Sequence, residues 1–486
     1  MWRLATLAAC TTALQLPLAT RRCSPPHAAA RRTILHAVDD VDAELCVALT
    51  VHKPPRIDGP NEASPLSPDT LFVSDGAAVL ASAATEDGDL IDRAYAAAGP
   101  RESILPARTC GIVTCGGLCP GLNTVVQELY CCLSSQYHVD RVWGFEGGYE
   151  GLAKGKRVDL SRMLAKKNIY QEGGTLLGTS RPKIPAADLA DAVEREELDC
   201  LFVVGGDGTM RGVAALSEEL QKRDSKCRIA VVPKTIDNDI PLIDRSFGFD
   251  TAVTEAKKFI DVASVEARSF PRGVGVVRLM GRDAGFLAVH ACLAAPGDVD
   301  ACLVPEKSFS VDSLIRYVAE RLEEKDHCIL VVAEGVNTRV IDENGPVTID
   351  EDVGPWLCAQ LKKSLPDISL KYVDPSYAVR SAPSSPTDTI FCSRLAQHAV
   401  HAVMGGSTAF AVGTVNTHYV EIPLADFEGR SAVCAPTGRI FGDLVRGTGQ
   451  PSFDASSDAS CDDDLESPTG GCVVTWDGPS MTGVKT

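Results

Sequence analysis

The stretch from Cys200 to Asp239 constrains the fold of this chain more than any other. An apolar run ends abruptly in the turn GGDGT at 205–209, and a helical stretch follows it. A second apolar run ends in PKTIDND at 233–239. Apolar runs bounded by turns and separated by a helix are typical of parallel strands in an α/β sheet. Both polar segments are therefore predicted at the carboxyl ends of strands, where such sheets bind ligands.

The composition of these two segments indicates phosphoryl transfer. They supply carboxylates, one lysine and several glycines, with no pair of cysteine and histidine. Glycines let backbone N–H groups approach phosphate oxygens closely. One carboxylate can hold Mg²⁺, lysine can bind phosphate, and another carboxylate can accept the proton of a hydroxyl group.

Three further motifs point to a known family. They are GIVTCGGLCPGLN at 111–123, GGTLLGTSR at 173–181 and GVGVVRLMGRDAGF at 273–286. The GGDGT turn alone also resembles the nucleotide motif of NAD kinases and lipid kinases, whereas PKTIDND is more specific. Together the motifs closely resemble the 6-phosphofructokinases, particularly their plant-like ATP-dependent branch, over roughly residues 105 to 425.

The resemblance implies a donor site. Gly116 and Gly117 would line the position of the β- and γ-phosphates, and Arg181 would reach both the donor phosphate and the sugar phosphate. Asp207 would act through Mg²⁺. The residues implied for ATP are Gly116, Gly117, Tyr149, Arg181, Gly206, Asp207, Gly208, Thr209 and Lys234.

The resemblance also implies a catalytic set and a sugar site. Asp237 would be the general base that takes the proton from the 1-hydroxyl of fructose 6-phosphate, supported by Asp239. Thr235 would contact the transferring phosphoryl group, and Arg181 completes the catalytic set. The residues implied for the sugar phosphate are Thr235, Asp237, Asp239, Met280, Gly281, Arg282, Glu334, Lys371, Tyr377 and Arg380.

One position departs from the bacterial pattern of the family. Bacterial relatives carry an arginine nine residues before the arginine of the MGR motif and donate it across a subunit interface. This chain has Gly273 there, and Arg272 is the adjacent basic residue. The resemblance otherwise implies a homo-oligomer, either a dimer or a tetramer.

Two positions bear on whether the donor is ATP or pyrophosphate. Pyrophosphate-using relatives carry Asp where this chain has Gly208, and that side chain would collide with the α-phosphate of a nucleotide. Lys234 stands where pyrophosphate enzymes carry Lys and bacterial ATP enzymes carry Gly. Exclusion by volume and charge is the stronger argument, so ATP is expected. A pyrophosphate-dependent enzyme and a catalytically silent regulatory subunit are the alternatives.

Bulk composition limits the partners. The net charge of −18 argues against nucleic acid or an anionic membrane as a partner. The eighteen cysteines are scattered without metal-binding spacing, which indicates buried thiols in a reducing compartment.

The sequence predicts two doubly wound, Rossmann-like α/β domains with the active site in the cleft between them. Residues 107–262 plus about 378–450 would bind ATP, and 263–377 would bind fructose 6-phosphate. Residues 1–38 contain five arginines and no acidic residue, as in an organelle targeting segment, with a plastid expected before a mitochondrion or the cytoplasm. Residues 39–106 read as a variable extension with a short helix near 90–98, and 451–486 as an acidic, disordered tail.

Overall fold

The fold is described from a computed structural model of the chain. It describes residues 51–67, 70–74, 77–84, 90–181, 183–338, 340–342, 345–347, 349–427 and 431–453. The predicted targeting segment at 1–38 and nearly all of the predicted acidic tail lie outside these residues.

Strands and helices alternate along most of the described chain. The strands are β1 (Val51–His52), β2 (Glu62–Ala63), β3 (Ala78–Ala84), β4 (Leu90–Ala97), β5 (Ser103–Ile104), β6 (Thr109–Thr114), β7 (Arg141–Phe145), β8 (Arg157–Asp159), β9 (Cys200–Gly205), β10 (Arg228–Pro233), β11 (Gly273–Leu279), β12 (Ala301–Leu303), β13 (Phe309–Ser310), β14 (His327–Ala333), β15 (Val340–Asp342), β16 (Gly345–Val347), β17 (Ser369–Val373), β18 (Phe410–Val415) and β19 (His418–Pro423). The helices are α1 (Leu122–Cys131), α2 (Gly148–Lys154), α3 (Leu160–Leu164), α4 (Ala186–Arg195), α5 (Asp207–Lys222), α6 (Phe249–Arg268), α7 (Phe286–Leu293), α8 (Val311–Lys325), α9 (Val353–Ser364), α10 (Ser376–Ser381), α11 (Pro386–Met404) and α12 (Arg439–Thr448).

The larger sheet has the order β1-β4-β19-β18-β10-β9-β6-β7-β8, and β3 pairs with β4. Its central strands, from β18 to β7, are parallel. Alternate side chains of β9 enter different cores: Phe202 and Val204 face one, while Leu201 and Val203 face the other. Because successive side chains on a strand point to opposite faces, this continuous apolar run reports a sheet covered on both sides.

The smaller sheet is parallel throughout, in the order β12-β14-β11-β17. Helix α6 leaves the larger sheet and packs against β11, β14 and β17. Its buried Ala256, Ile260 and Ala263 belong to the same apolar core as β11. Two doubly wound sheets are therefore joined by one long helix, which confirms the predicted fold class.

The sequence expectation for the extension was wrong in one respect. Residues 90–97 form strand β4, not a helix, in register with β3 and antiparallel to β19. The alanines of this segment favour helix in isolation, but Tyr95 is fully buried and cross-strand packing decides the outcome. The extension thus enlarges the larger sheet. The motif segment 173–181 is a loop throughout.

Residues 434–453 pack on the smaller sheet, whereas the sequence assigned the returning segment up to about 450 to the ATP domain. The side chain of Gln450 accepts from the Cys302 N–H at 2.8 Å and donates to the Cys302 carbonyl at 3.2 Å. The Phe453 ring is buried edge-on against Tyr317 at 5.5 Å. The start of the predicted tail is therefore an anchored segment.

No helix in the described part of the chain is long and apolar enough to cross a membrane. The described cysteines are free thiols, and most of them are buried. Burial raises the pKa of several, including Cys115 to about 12, so these thiols are poor nucleophiles at neutral pH.

A buried ion pair ties the extension to the larger sheet. Arg101, which follows β4, donates from Nη2 to Glu421 Oε1 on β19 at 3.1 Å. Ser407 donates to the other oxygen of Glu421 at 2.6 Å. Both charged side chains are less than a tenth exposed, so each depends on the other for compensation.

Arg101→Met is expected to destabilise the chain by about 3–5 kcal/mol, because it removes the cation that hydrogen-bonds the buried Glu421 carboxylate. Urea unfolding at neutral pH measures the loss. Lys154→Met is the control, since its partner Glu150 is an exposed residue one helical turn away, and its loss should stay below about 0.5 kcal/mol. Equal losses in the two variants would contradict the assigned role of the buried pair.

Candidate active site

The predicted site residues follow the carboxyl ends of strands in both sheets. In the larger sheet, β6 leads to Gly116, β9 to Asp207 and β10 to Lys234. In the smaller sheet, β11 leads to Arg282 and β14 to Glu334. Carboxyl ends of parallel strands are where such sheets form ligand sites.

Three loops of the larger sheet meet at the first glycine turn. Gly116 has φ +84°, in the left-handed region that favours glycine. A Cβ on Gly117 would lie 3.1 Å from Arg181 Nη2, so the turn closely approaches that guanidinium. Lys234 Nζ donates to the Gly117 carbonyl at 2.7 Å. The structure thus brings together the turn, the arginine and the lysine predicted to hold phosphates.

Lys234 is buried although it carries an amine. Burial lowers its pKa, and the neighbouring Arg181 acts in the same direction. Its ammonium group donates to the Gly117 carbonyl and is otherwise removed from solvent by the surrounding protein. An incoming anion would restore favourable charge around it, which suits a phosphate contact.

Helix α5 begins at the GGDGT turn. Asp207 is its first residue, with a partly exposed carboxylate that pairs with Arg211 one turn later at 2.8 Å. An accessible carboxylate beside a phosphate-binding turn fits Mg²⁺, which is commonly held by one or two carboxylates plus waters and phosphates. Beside it, apart from its chain neighbours and the backbone of its own helix, no atom of the described residues lies within 4 Å of the position that a Cβ on Gly208 would take.

Tyr149 supports this turn from behind. Its buried hydroxyl donates to the Thr209 carbonyl at 3.0 Å, and its ring lies against Gly212. Thr209 is buried as well, and its side chain packs where a Cβ on Gly205 would have to fit. Tyr149 and Thr209 therefore shape the start of α5, and Asp207 and Gly208 are the accessible residues there.

The PKTIDND loop is held by its own side chains. Thr235 Oγ1 donates to Asp239 Oδ1 at 2.8 Å and accepts the Asp237 N–H at 3.1 Å. Asn238 has φ +56°, and its Oδ1 accepts the Ser246 N–H at 2.8 Å. This bonding fixes the direction of Asp237 between its neighbours.

Asp237 is the most perturbed carboxyl group of the site. Its Oδ1 is buried and has no hydrogen-bond partner in the described residues. Burial, reinforced by Asp239, Glu334 and Asp283, raises its pKa to about 7, against the opposing effect of Lys234. Since Glu334 and Asp283 belong to the smaller sheet, Asp237 faces the cleft between the two sheets.

The MGR segment lines the other wall of this cleft. Gly281 has φ +130°, and a Cβ on Gly335 would lie 1.8 Å from the Arg282 carbonyl, so these two backbones touch. Met280 is buried beneath them. The Arg282 guanidinium is exposed, with Asp283 at 3.4 Å. The tight packing presents Arg282 and Glu334 side by side.

Helix α10 brings the remaining predicted sugar ligands. Tyr377 is exposed and lies under the Arg380 guanidinium at 5.1 Å. A Cβ on Gly173 would lie 1.8 Å from the Ser381 carbonyl. The loop that ends in Arg181 therefore packs directly on the helix that carries Arg380.

Two basic residues considered from the sequence, Lys371 and Arg272, interact with other side chains. Lys371 stacks on the Phe270 ring at 4.0 Å with Glu266 at 3.8 Å, and Arg272 pairs with Glu323 and Asp367. A Cβ on Gly273 would meet the Ala267 carbonyl at 1.9 Å, so no arginine fits there without backbone movement.

Comparison with known proteins decides the family. Residues 109–403 match the sequence model described as phosphofructokinase. ATP-dependent 6-phosphofructokinase 1 of Arabidopsis thaliana is 41% identical over 74% of this chain and 80% of its own length. The chain belongs to the phosphofructokinase family. It is accordingly a phosphotransferase with an alcohol group as acceptor.

Other relatives extend this likeness. The chloroplastic ATP-dependent 6-phosphofructokinase 4 of the same plant is 38% identical over 79% of this chain and 76% of its own length. A crystal structure of a pyrophosphate-dependent phosphofructokinase from Marinobacter aquaeolei shares the fold, with a TM-score of 0.61 over 70% of this chain and 91% of that one. At 18% identity it supports the fold alone.

Sequence reasoning missed two residues of this phosphofructokinase site. Asp283 acts on Asp237 across the cleft, and Arg278 pairs with Glu334 at 2.9 Å. The signal for Arg278 was a charged residue inside the otherwise apolar strand GVGVVRL. Asp283 gave no signal beyond its place after Arg282.

Asp237→Asn is expected to stabilise the protein most at alkaline pH. The pKa of Asp237 in the folded state, about 7, lies above the ordinary value. The destabilisation caused by its ionised form therefore grows with pH up to about 7 and is constant above that pH. Screening of this half-buried group limits the gain to on the order of 2 kcal/mol at pH 8.5, with less at pH 5.5. Urea unfolding at both pH values measures it.

The control is Asp224→Asn, which changes an exposed carboxylate. Its effect should not depend on pH. An Asp237→Asn gain of the same size at pH 5.5 and pH 8.5 would show that the carboxylate is not destabilised by its charge.

Proposed function

We propose that this phosphofructokinase transfers the γ-phosphoryl group of Mg-ATP to the 1-hydroxyl of fructose 6-phosphate, giving ADP and fructose 1,6-bisphosphate. The observation that carries this proposal is the position of Asp237. This carboxyl group lies in the same loop as Lys234 and faces Glu334, and its Oδ1 has no hydrogen-bond partner among the described residues.

Asp237 is suited to act as the general base. A pKa of about 7 lies close to the operating pH, where a carboxylate combines sufficient ionised population with useful basicity. Thr235 orients it through the Asp237 N–H. The proton of the sugar hydroxyl would pass to the buried oxygen that lacks a partner in the described residues.

The donor phosphates would lie over the first glycine turn. Lys234 and Arg181 supply positive charge, and the N–H groups at the start of α5 supply donors with the favourable end of the helix dipole. Asp207 would hold Mg²⁺, which when bound neutralises charge on the transferring phosphoryl group.

The sugar phosphate would bind on the opposite wall. Arg282 is an exposed cation beside the cleft, and Arg380, which is half-buried, stacks on Tyr377. Glu334, with Met280 and Gly281 beneath it, would accept hydrogen bonds from sugar hydroxyls. Asp239 is hydrogen-bonded to Thr235 and supports the loop.

Gly208 favours ATP over pyrophosphate. Space is open around the position of its missing Cβ, so the α-phosphate of a nucleotide meets no side chain there. The Arabidopsis relatives above are named ATP-dependent. Lys234 is the residue that pyrophosphate enzymes share at this position. It donates to a backbone carbonyl and would contact a phosphate of either donor.

The first experiment compares donors on the full chain. With Mg²⁺ and fructose 6-phosphate, ATP should give fructose 1,6-bisphosphate and pyrophosphate should not, while Asp237→Ala should lose activity by at least roughly 100-fold because it removes the general base. Coupled enzymatic assay of the product measures all three. Turnover with pyrophosphate alone would mean that Lys234 outweighs the room at Gly208. Silence with both donors would favour a regulatory subunit.

Gly208→Asp should weaken ATP selectively. The open space accommodates the side chain without disturbing the fold, but its charge and volume oppose the α-phosphate, so KM for ATP should rise roughly tenfold or more, equivalent to about 1.4 kcal/mol. KM for fructose 6-phosphate and the melting temperature should hardly change. Gly208→Ala is the control without charge. An unchanged KM for ATP in the aspartate variant would remove Gly208 from donor selection.

The expectations of a homo-oligomer and of a plastid location remain predictions. One relative is named chloroplastic and another of similar identity is not.

A further inference from the structure

Arg278 lies where three segments of the smaller sheet meet beside the proposed sugar site. It is the last residue but one of β11, and its side chain is only 15% exposed. Neither the motifs nor the proposed chemistry assigns it a role. A nearly buried guanidinium in an apolar strand must be compensated, so its partners show what it holds together.

The guanidinium contacts four side chains. Nη2 reaches Glu334 Oε2 at 2.9 Å, and Nη1 donates to Ser376 Oγ at 2.8 Å. Asp374 Oδ2 lies 3.5 Å from Nη1, and Asp352 Oδ1 lies 3.2 Å from Nε as an ion pair without hydrogen-bond geometry. A planar group with several fixed donors can serve these directions at once, which a lysine cannot.

These partners lie at the ends of three different structural elements. Asp374 Oδ1 accepts the Ser376 N–H at 3.0 Å and so fixes the start of α10, the helix of Tyr377 and Arg380. Asp352 accepts the Gly354 N–H at 3.1 Å and caps α9. Glu334 follows directly after β14. Arg278 therefore links the end of β14 to the start of α10.

We propose that Arg278 is a positioning residue for fructose 6-phosphate. By holding Glu334 against α10, it sets the spacing between the carboxylate that receives the sugar hydroxyls and the side chains that receive the 6-phosphate. Without the guanidinium, three carboxylates would face one another unpaired, and Glu334 would turn away. This inference rests on the proposed function.

Arg278→Met in the full chain tests it. KM for fructose 6-phosphate should rise at least roughly tenfold, because the two halves of the sugar site lose their spacing, while KM for ATP should stay within about twofold. Arg278→Lys keeps the charge but contacts fewer partners at once, so it should recover part of the loss. Arg223→Met is the matched control. That guanidinium also serves three carboxylates, from Asp191, Glu194 and Glu219, but away from the site, and both KM values should be unchanged.

A second variant asks whether Arg278 acts through Glu334. In a Glu334→Gln background, adding Arg278→Met should raise KM for fructose 6-phosphate by less than about twofold, since the carboxylate to be positioned is already gone. Independent, multiplying effects in the double variant would overturn the positioning role.

Other outcomes separate this inference from the proposed function. An active parent with an unchanged KM for fructose 6-phosphate in Arg278→Met overturns the inference alone, as does an equal rise in both KM values. Should Arg278→Met fail to fold, an Arg278→Lys variant with parental KM overturns it. Calorimetric titration with fructose 6-phosphate, in the absence of a phosphoryl donor, measures the affinity of the parent and of each variant for the sugar phosphate directly. Absence of binding by the parent would overturn both the inference and the proposed sugar substrate.

Discussion

The placing of the Asp237 carboxyl group among like charges is the constraint on which the rest of the site depends. A carboxylate that must take a proton from a hydroxyl group has to be ionised yet poorly stabilised. The neighbouring carboxylates have partners of their own. Asp239 accepts a hydrogen bond from the Thr235 hydroxyl, and Glu334 forms an ion pair with the Arg278 guanidinium. The Asp237 Oδ1 has no hydrogen-bond partner among the described residues, and burial, reinforced by these like charges, raises the pKa of Asp237 to about 7.

Two parallel sheets make this arrangement possible. Each presents its site loops at the carboxyl ends of its strands, so the loops proposed to bind the donor phosphates and those proposed to bind the sugar approach from opposite walls. One link between them is the close backbone approach of Gly173 to Ser381. A side chain at Gly173 would force these two segments apart. The cleft is therefore a consequence of backbone packing before any ligand is considered.

The sequence predicted most of what local pattern controls. Apolar runs ending in glycine turns gave the strands and the loops of Lys234, Asp207 and Arg282, because burial and turn chemistry act over a few residues. The prediction was wrong where contacts with residues distant in the sequence determine the structure. Residues 90–97 read as helix but pair with β3 and β19. The segment 434–453 packs on the smaller sheet through Gln450 and Phe453. Arg278 and Asp283 interact with groups distant in the sequence, so local pattern could not predict their roles.

The net charge of the whole protein also affects how anionic substrates would reach the site. A chain of net charge −18 is proposed to bind two polyanions, so its long-range field opposes both. Salt screens that field beyond about 8 Å under physiological conditions, whereas charges inside the cleft are screened much less. Lys234 is buried and its pKa is lowered by that burial, so it gains most from an arriving phosphate. Arg282 is exposed and Arg380 is half-buried, so both remain accessible to the proposed sugar phosphate, whereas Lys234 is not. In the proposed function, this order of burial would separate capture at the rim from discrimination inside the cleft.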